Sequence, residues 1–64
     1  DKAKAFGLFL KGAERGVEAS QFSVASMLYH GDGVSVDKAA AKKWFEMAAA
    51  QGSTEARKYL DAWV

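Results

Sequence analysis

Residues 37–52 read Asp37-Lys38-Ala39-Ala40-Ala41-Lys42-Lys43-Trp44-Phe45-Glu46-Met47-Ala48-Ala49-Ala50-Gln51-Gly52, and the fold turns on this stretch. Ala41, Trp44, Phe45, Ala48 and Ala49 recur at three- and four-residue intervals, which lays them along one face of an α-helix. Lys38, Lys42, Lys43 and Glu46 fall on the opposite face. Asp37 suits the N-cap, because its carboxylate can accept the free N–H groups of the first turn. No Glu or Gln follows at the capping-box position, so the cap is a simple one. Gly52 can adopt the left-handed conformation that closes a helix. The spacing predicts a helix over 38–51.

Working back toward the N-terminus, Gly31-Asp32-Gly33-Val34-Ser35-Val36 forms the one obvious loop, with two glycines to allow positive φ. Before it, Phe22, Val24, Ala25, Leu28 and Tyr29 carry helical spacing, and 18–30 is expected to be the antiparallel partner of 38–51. Six glycines and no proline punctuate the chain. Gly16, the pair Gly31 and Gly33, and Gly52 divide it into four segments of helical length.

A shift of 36 residues places Asp1-Lys2-Ala3 on Asp37-Lys38-Ala39, Ala5 on Ala41, Phe9 on Phe45, Ala13 on Ala49 and Gly16 on Gly52. These are 7 identities in 28 overlapping positions, where average composition would give roughly two. A period of this length marks stacked repeats. By the same register 2–15 and 53–63 are helices. The expected architecture is therefore all-α: one complete helical hairpin flanked by two half-repeats.

Composition agrees. Half the residues are hydrophobic and 27% charged, as in a folded domain. At 64 residues and 6.9 kDa the chain is one small domain, and a chain of this size buries only about 60% of its unfolded surface. Without cysteine it has neither disulfides nor thiolate metal ligands. A net charge of +1 does not mark a nucleic-acid or anionic-membrane binder. No apolar run has the length of a membrane span.

Residues 16–52 resemble a Sel-one-like repeat, a helix-pair relative of the tetratricopeptide repeat. The resemblance is carried by Ser20, Val24-Ala25, Leu28-Tyr29, Gly31-Asp32-Gly33-Val34, Asp37, Ala41, Trp44-Phe45 and Ala48-Ala49-Ala50-Gln51-Gly52. Partial copies extend it over nearly the whole chain. It implies an α-solenoid of stacked antiparallel hairpins. It also implies an adaptor or scaffold gathering proteins into complexes, often in bacteria, and so a soluble protein of the bacterial cytoplasm or periplasm.

Two departures from the family pattern stand out. Asp61 takes the position of the glycine at the tightest helix crossing, and a carboxylate is costly to bury there. The last helix is accordingly expected to cap the array. In the first helix, Phe6 and Leu10 stand where the complete repeat has Lys42 and Glu46, so that helix is apolar nearly all round. An upstream repeat, a partner or a second copy is expected to cover it. Residues 1–64 are thus expected to be a single repeat domain, either a fragment or the C-terminal end of a longer array.

Catalytic readings are thin. Ser26, His30 and Asp32 could supply a triad by residue type, but no nucleophile elbow frames them. His30 is the lone histidine, at a helix C-terminus that suits its charge. The Gly31-Asp32-Gly33 loop lacks both the alternating carboxylates of a calcium loop and the lysine of a phosphate loop. Lys38, Lys42 and Lys43 read as solvated surface, with Glu46 four residues from Lys42. No enzyme activity, cofactor or metal, and neither nucleic-acid nor membrane binding, is expected.

In tetratricopeptide-like solenoids the first helix of each hairpin lines a concave groove. That resemblance places Phe22, Ser26, Tyr29 and His30, then Glu55, Lys58 and Ala62, along the partner-binding face. Phe22 and Tyr29 equally suit the core, where aromatics are commonly buried. The second candidate surface is the first helix, through Phe6 and Leu10, or through Phe6, Leu8, Phe9 and Leu10 in a self-associating inhibitor or immunity-type protein. A further alternative is a repeat segment that regulates an attached enzyme, for example in cell-envelope machinery.

Overall fold

The computed structural model describes residues 1–63, and its secondary structure is helical throughout: α1 (Lys2–Glu14), α2 (Glu18–His30), α3 (Lys38–Ala50) and α4 (Thr54–Asp61). Three starts are written in the side chains. Asp1 accepts from the N–H groups of Ala3 and Lys4 at 3.0 and 3.5 Å, and Asp37 accepts from Ala40 N–H at 3.0 Å. Ser53 Oγ accepts from Ala56 N–H at 3.1 Å. The fourth start, at Val17, has no side-chain cap. Such caps satisfy first-turn donors that the helix itself leaves free.

The helix ends repeat with the same 36-residue period. After α1, Val17 N–H donates to Gly12 O and Gly16 N–H to Ala13 O, both at 3.0 Å. After α3, Ser53 N–H donates to Ala48 O at 3.1 Å and Gly52 N–H to Ala49 O at 2.9 Å. This paired closure requires a left-handed residue, supplied by Gly16 at φ 91° and Gly52 at φ 105°.

α2 has the expected bounds, and α1 and α3 each end one residue early. α4 is the clear difference, covering 54–61 rather than 53–63. Ser53 is its cap rather than its first residue. At the far end Trp63 N–H turns back to Leu60 O at 3.1 Å, a tighter closure than the α-helical bond. That turn leaves Trp63 half-buried against the core.

Each helix packs on the next in antiparallel hairpins, giving a short α-solenoid. Ala13, Val24, Ala25, Ala41, Phe45, Ala48 and Ala56 are completely buried. Alanine dominates because small side chains let helix axes approach, so that one large ring can fill the space left between pairs. That ring is Phe45. It stacks on Tyr59 with centroids 4.4 Å apart and planes 14° from parallel. Phe22, Tyr29 and Trp63 meet it edge-on at 5.8, 6.3 and 6.1 Å. The α1–α2 crossing is closest at Gly12, where a Cβ would stand 2.5 Å from Ser20 Oγ.

One polar network, running from buried Gln21 to exposed Gln51, ties the repeats together. Gln21, nearly inaccessible, donates through Nε2 to Ala13 O at 3.3 Å. Gln51 Nε2 donates to Gln21 Oε1 at 2.8 Å and to Gly16 O at 2.9 Å. No buried side-chain nitrogen or oxygen among the described residues lacks a partner, as expected of a well-formed interior.

Candidate interaction surfaces

α2 and α4 lie side by side and share an aromatic seam. Phe22 meets Tyr59 at 6.0 Å, while Tyr29 meets Tyr59 and Trp63 at 5.4 Å each. His30 Nε2 lies 3.2 Å from Tyr59 Oη, and the His30 ring sits edge-on to Tyr29 at 5.0 Å. Lys38 Nζ stands 5.1 Å above the Tyr29 ring, within range of a cation–π attraction. The seam is thus a pre-ordered strip with apolar bodies inside and polar tips outside, a good contact type for a protein partner.

The residues expected on the concave face divide within this geometry. Phe22 and Tyr29 are half-buried and hold α2 to α4, and His30 is exposed beside them. Ser26 is half-buried on the other flank of α2. Glu55 and Lys58 are exposed on α4, and Ala62 is exposed just beyond its end. Tyr59, absent from the expected set, is the residue that joins the strip. Its signal was the four-residue spacing to Trp63, which would share a face in a helix running to 63, although α4 ends at Asp61 and Trp63 meets the strip from the turn beyond it.

On α1, Phe6 and Leu10 are half-buried and packed against the core, four residues apart on the side facing α2. The outward apolar surface of α1 is Leu8, 69% exposed, and Phe9, 40% exposed. Two open grooves flank the hairpin. One, of about 320 Å³ between α1 and α2, is lined by Ala5, Phe9, Phe22, Ser23, Ser26 and Met27, with Lys2 and Asp32 at its end. The other, of about 840 Å³ between α3 and α4, has charged walls that include Lys42, Glu46, Arg57 and Asp61.

The residues weighed as a triad are otherwise engaged. Asp32 takes Lys2 Nζ at 2.8 Å, and His30 faces Tyr59. The Asp32 carboxylate, hydrogen-bonded to Lys2 and attracting its charge, raises the Lys2 amine above its ordinary 10.5. Among the described residues no three His, Cys, Asp or Glu side chains converge on a possible metal position. No helix of the described residues is long and apolar enough to cross a membrane.

A family model described as Sel1 repeat matches residues 1–17 and 18–53. Neither the curated proteins nor the solved structures provide a significant match.

Proposed function

The chain belongs to the Sel1 repeat family, and from that premise we propose that it is a non-catalytic adaptor or scaffold module that holds a partner protein or peptide on its helical faces. Sel1 repeats are in general protein–protein interaction modules. Residues 1–64 are read as one repeat domain. The contact face is the α2–α4 strip, with Tyr29, His30 and Tyr59 presenting aromatic area and Glu55 and Lys58 at its margins, while Ser26 faces the groove toward α1. The observation that carries this reading is the ordered aromatic seam, whose rings are fixed by mutual packing before any partner arrives. Aromatic side chains immobilised in advance lose little further entropy on binding, and they are enriched among residues that dominate interfaces.

The test is site-specific photo-crosslinking in cells that produce the protein, with the reactive residue placed at His30, at Lys58 or at Leu8. Discrete protein adducts from His30 and Lys58 are expected. Adducts from Leu8 alone would move the contact to α1. Adducts from none of the three would sink the interaction reading.

A further inference from the structure

Tyr29 is the hub of the strip. The His30 ring, the Lys38 ammonium and the rings of Tyr59 and Trp63 stand 5.0, 5.1, 5.4 and 5.4 Å from its ring centre. Phe45, inaccessible to water, closes the inner side of this group. His30 and Lys38 are exposed. The group therefore offers polar atoms outward while packing holds its ring bodies.

Those polar atoms are donors. An ammonium has donors only, and a phenol hydroxyl and an indole N–H each have one to give. His30 Nε2 lies 3.2 Å from Tyr59 Oη. When that hydroxyl donates to Nε2, the ring's own proton sits on Nδ1, and the imidazole is a donor on its free side. No carboxylate of the molecule answers them. Asp32, two residues beyond His30, is held by Lys2 at 2.8 Å. Asp37, next to Lys38, accepts from Ala40 N–H at 3.0 Å. Glu55 lies in the first turn of α4, and among the described residues Lys2–Asp32 is the one ion pair. Lys38 thus rests over an aromatic face, a weak hold at an exposed site, and not on an anion.

We propose that the corner of the strip formed by Lys38 and His30 receives the carboxylate of an Asp or Glu side chain on the partner protein. This inference rests on the interaction-module reading and names the chemistry that the strip selects. The ammonium leaves the Tyr29 ring to meet the carboxylate, and His30 Nδ1–H supplies a second donor. Charge-assisted hydrogen bonds of this kind are stronger than neutral ones. One ammonium matches the single negative charge of a carboxylate, whereas a phosphate monoester brings nearly two. The aromatic rings give the rest of the guest an apolar surface to lie on.

The probe is a blocked dipeptide, acetyl-Phe-Glu-amide, compared with acetyl-Phe-Gln-amide, which has the same shape without the charge. Each is titrated at constant ionic strength into the isotope-labelled protein and followed by NMR. The glutamate peptide should give saturable shifts at His30, Lys38 and Tyr59. It should bind at least about threefold more tightly than the glutamine peptide, the scale of one exposed, hydrogen-bonded ion pair. Lys38→Met, which keeps the stem of the side chain and removes its charge, should erase that difference and leave the affinity of the glutamine peptide unchanged. Lys11→Met, on α1, should preserve the difference.

Equal binding of the two peptides, shifts confined to other surfaces, or no saturable shift with either would each overturn the carboxylate site. So would a Lys38→Met protein that still prefers glutamate. If acetyl-Phe-Gln with a free C-terminal carboxylate bound more tightly than the glutamate amide, the corner would belong to a chain terminus and the side-chain guest would be overturned. The adaptor reading keeps its own readout. Lys38→Met should reduce the crosslinked adducts from His30 in cells at least about threefold; undiminished adducts would overturn the carboxylate while leaving the strip an interface.

Discussion

Phe9 and Phe45 hold the same place in the 36-residue unit, on helices of the same length, and have opposite surroundings. Four aromatic rings cover Phe45, and it is inaccessible to water. Phe9 keeps 40% of its surface open. The helix is a local property that both copies express alike, through Asp1 and Asp37 at one end and Gly16 and Gly52 at the other. Burial is a property of neighbours. A repeat at the edge of a solenoid has the same sequence grammar as one inside it, with half the contacts that make the grammar stabilising.

The sharpest way to break this comparison is to delete both rings in turn. Phe45→Ala should cost about 3–5 kcal/mol, the usual range for emptying a core aromatic site. A domain this small has little stability to spare, so the variant is expected to lose its cooperative urea transition. Phe9→Ala should cost about 1–2 kcal/mol by the same measurement, because two-fifths of the Phe9 surface already meets water. Equal costs would mean that the period does not predict packing.

The next effect compares two glycines that both adopt positive φ. A Cβ on Gly33, at φ 78°, would meet the Lys2 backbone at 2.7 Å, whereas a Cβ on Gly16, at φ 91°, would meet nothing within 4 Å. Gly16→Ala should cost about 1 kcal/mol from backbone strain alone. Gly33→Ala should cost more, and it should increase hydrogen exchange in the first turn of α1, which Gly16→Ala should leave protected.

A smaller effect separates Gln51 from Arg15, its counterpart one period earlier. Gln51→Ala removes two hydrogen bonds and leaves the Gln21 amide oxygen without its partner, a loss of about 1–2 kcal/mol in chemical denaturation. Arg15→Ala, at an exposed position, should stay within about 0.5 kcal/mol of the parent.

The smallest effect concerns Lys2 and Asp32, an exposed pair. The amine is raised above 10.5 in the folded state, so its contribution is present below that pH and lost as pH rises through the folded value. Melting curves of the parent and Lys2→Ala should differ slightly near neutral pH and converge as pH rises past the raised value of the amine. They should also converge in concentrated salt, which screens surface charge.

The helices were legible because their signals are local. Asp37, Gly52 and the stripe from Ala41 to Ala49 sit within one another's reach along the chain. The end of α4 was less so, because Trp63 leaves the helix to pack against Phe45, a contact that spacing within α4 does not report. The site was readable in part for the same reason. Spacing put Phe22 and Tyr29 on one face of α2, but which flank of that face meets Tyr59 depends on how α4 crosses it. Phe6 and Leu10 illustrate the limit from the other side. Alignment with Lys42 and Glu46 marks them as outward, yet in α1 they pack toward the core and leave Leu8 and Phe9 outside. Periodicity fixes relative angles around a helix. It does not fix the rotation of that helix against its neighbour.

Gln51 reaches across 35 residues to the carbonyl of Gly16 while also gripping Gln21. In mechanical terms it is a cross-brace, joining the end of α3 to the turn between α1 and α2. Two hydrogen bonds from one side chain tie the α3 end to both α2 and the turn that precedes it, and so fix the angle between them. In this chain the brace occurs once, because Arg15 stands at the equivalent position one period earlier.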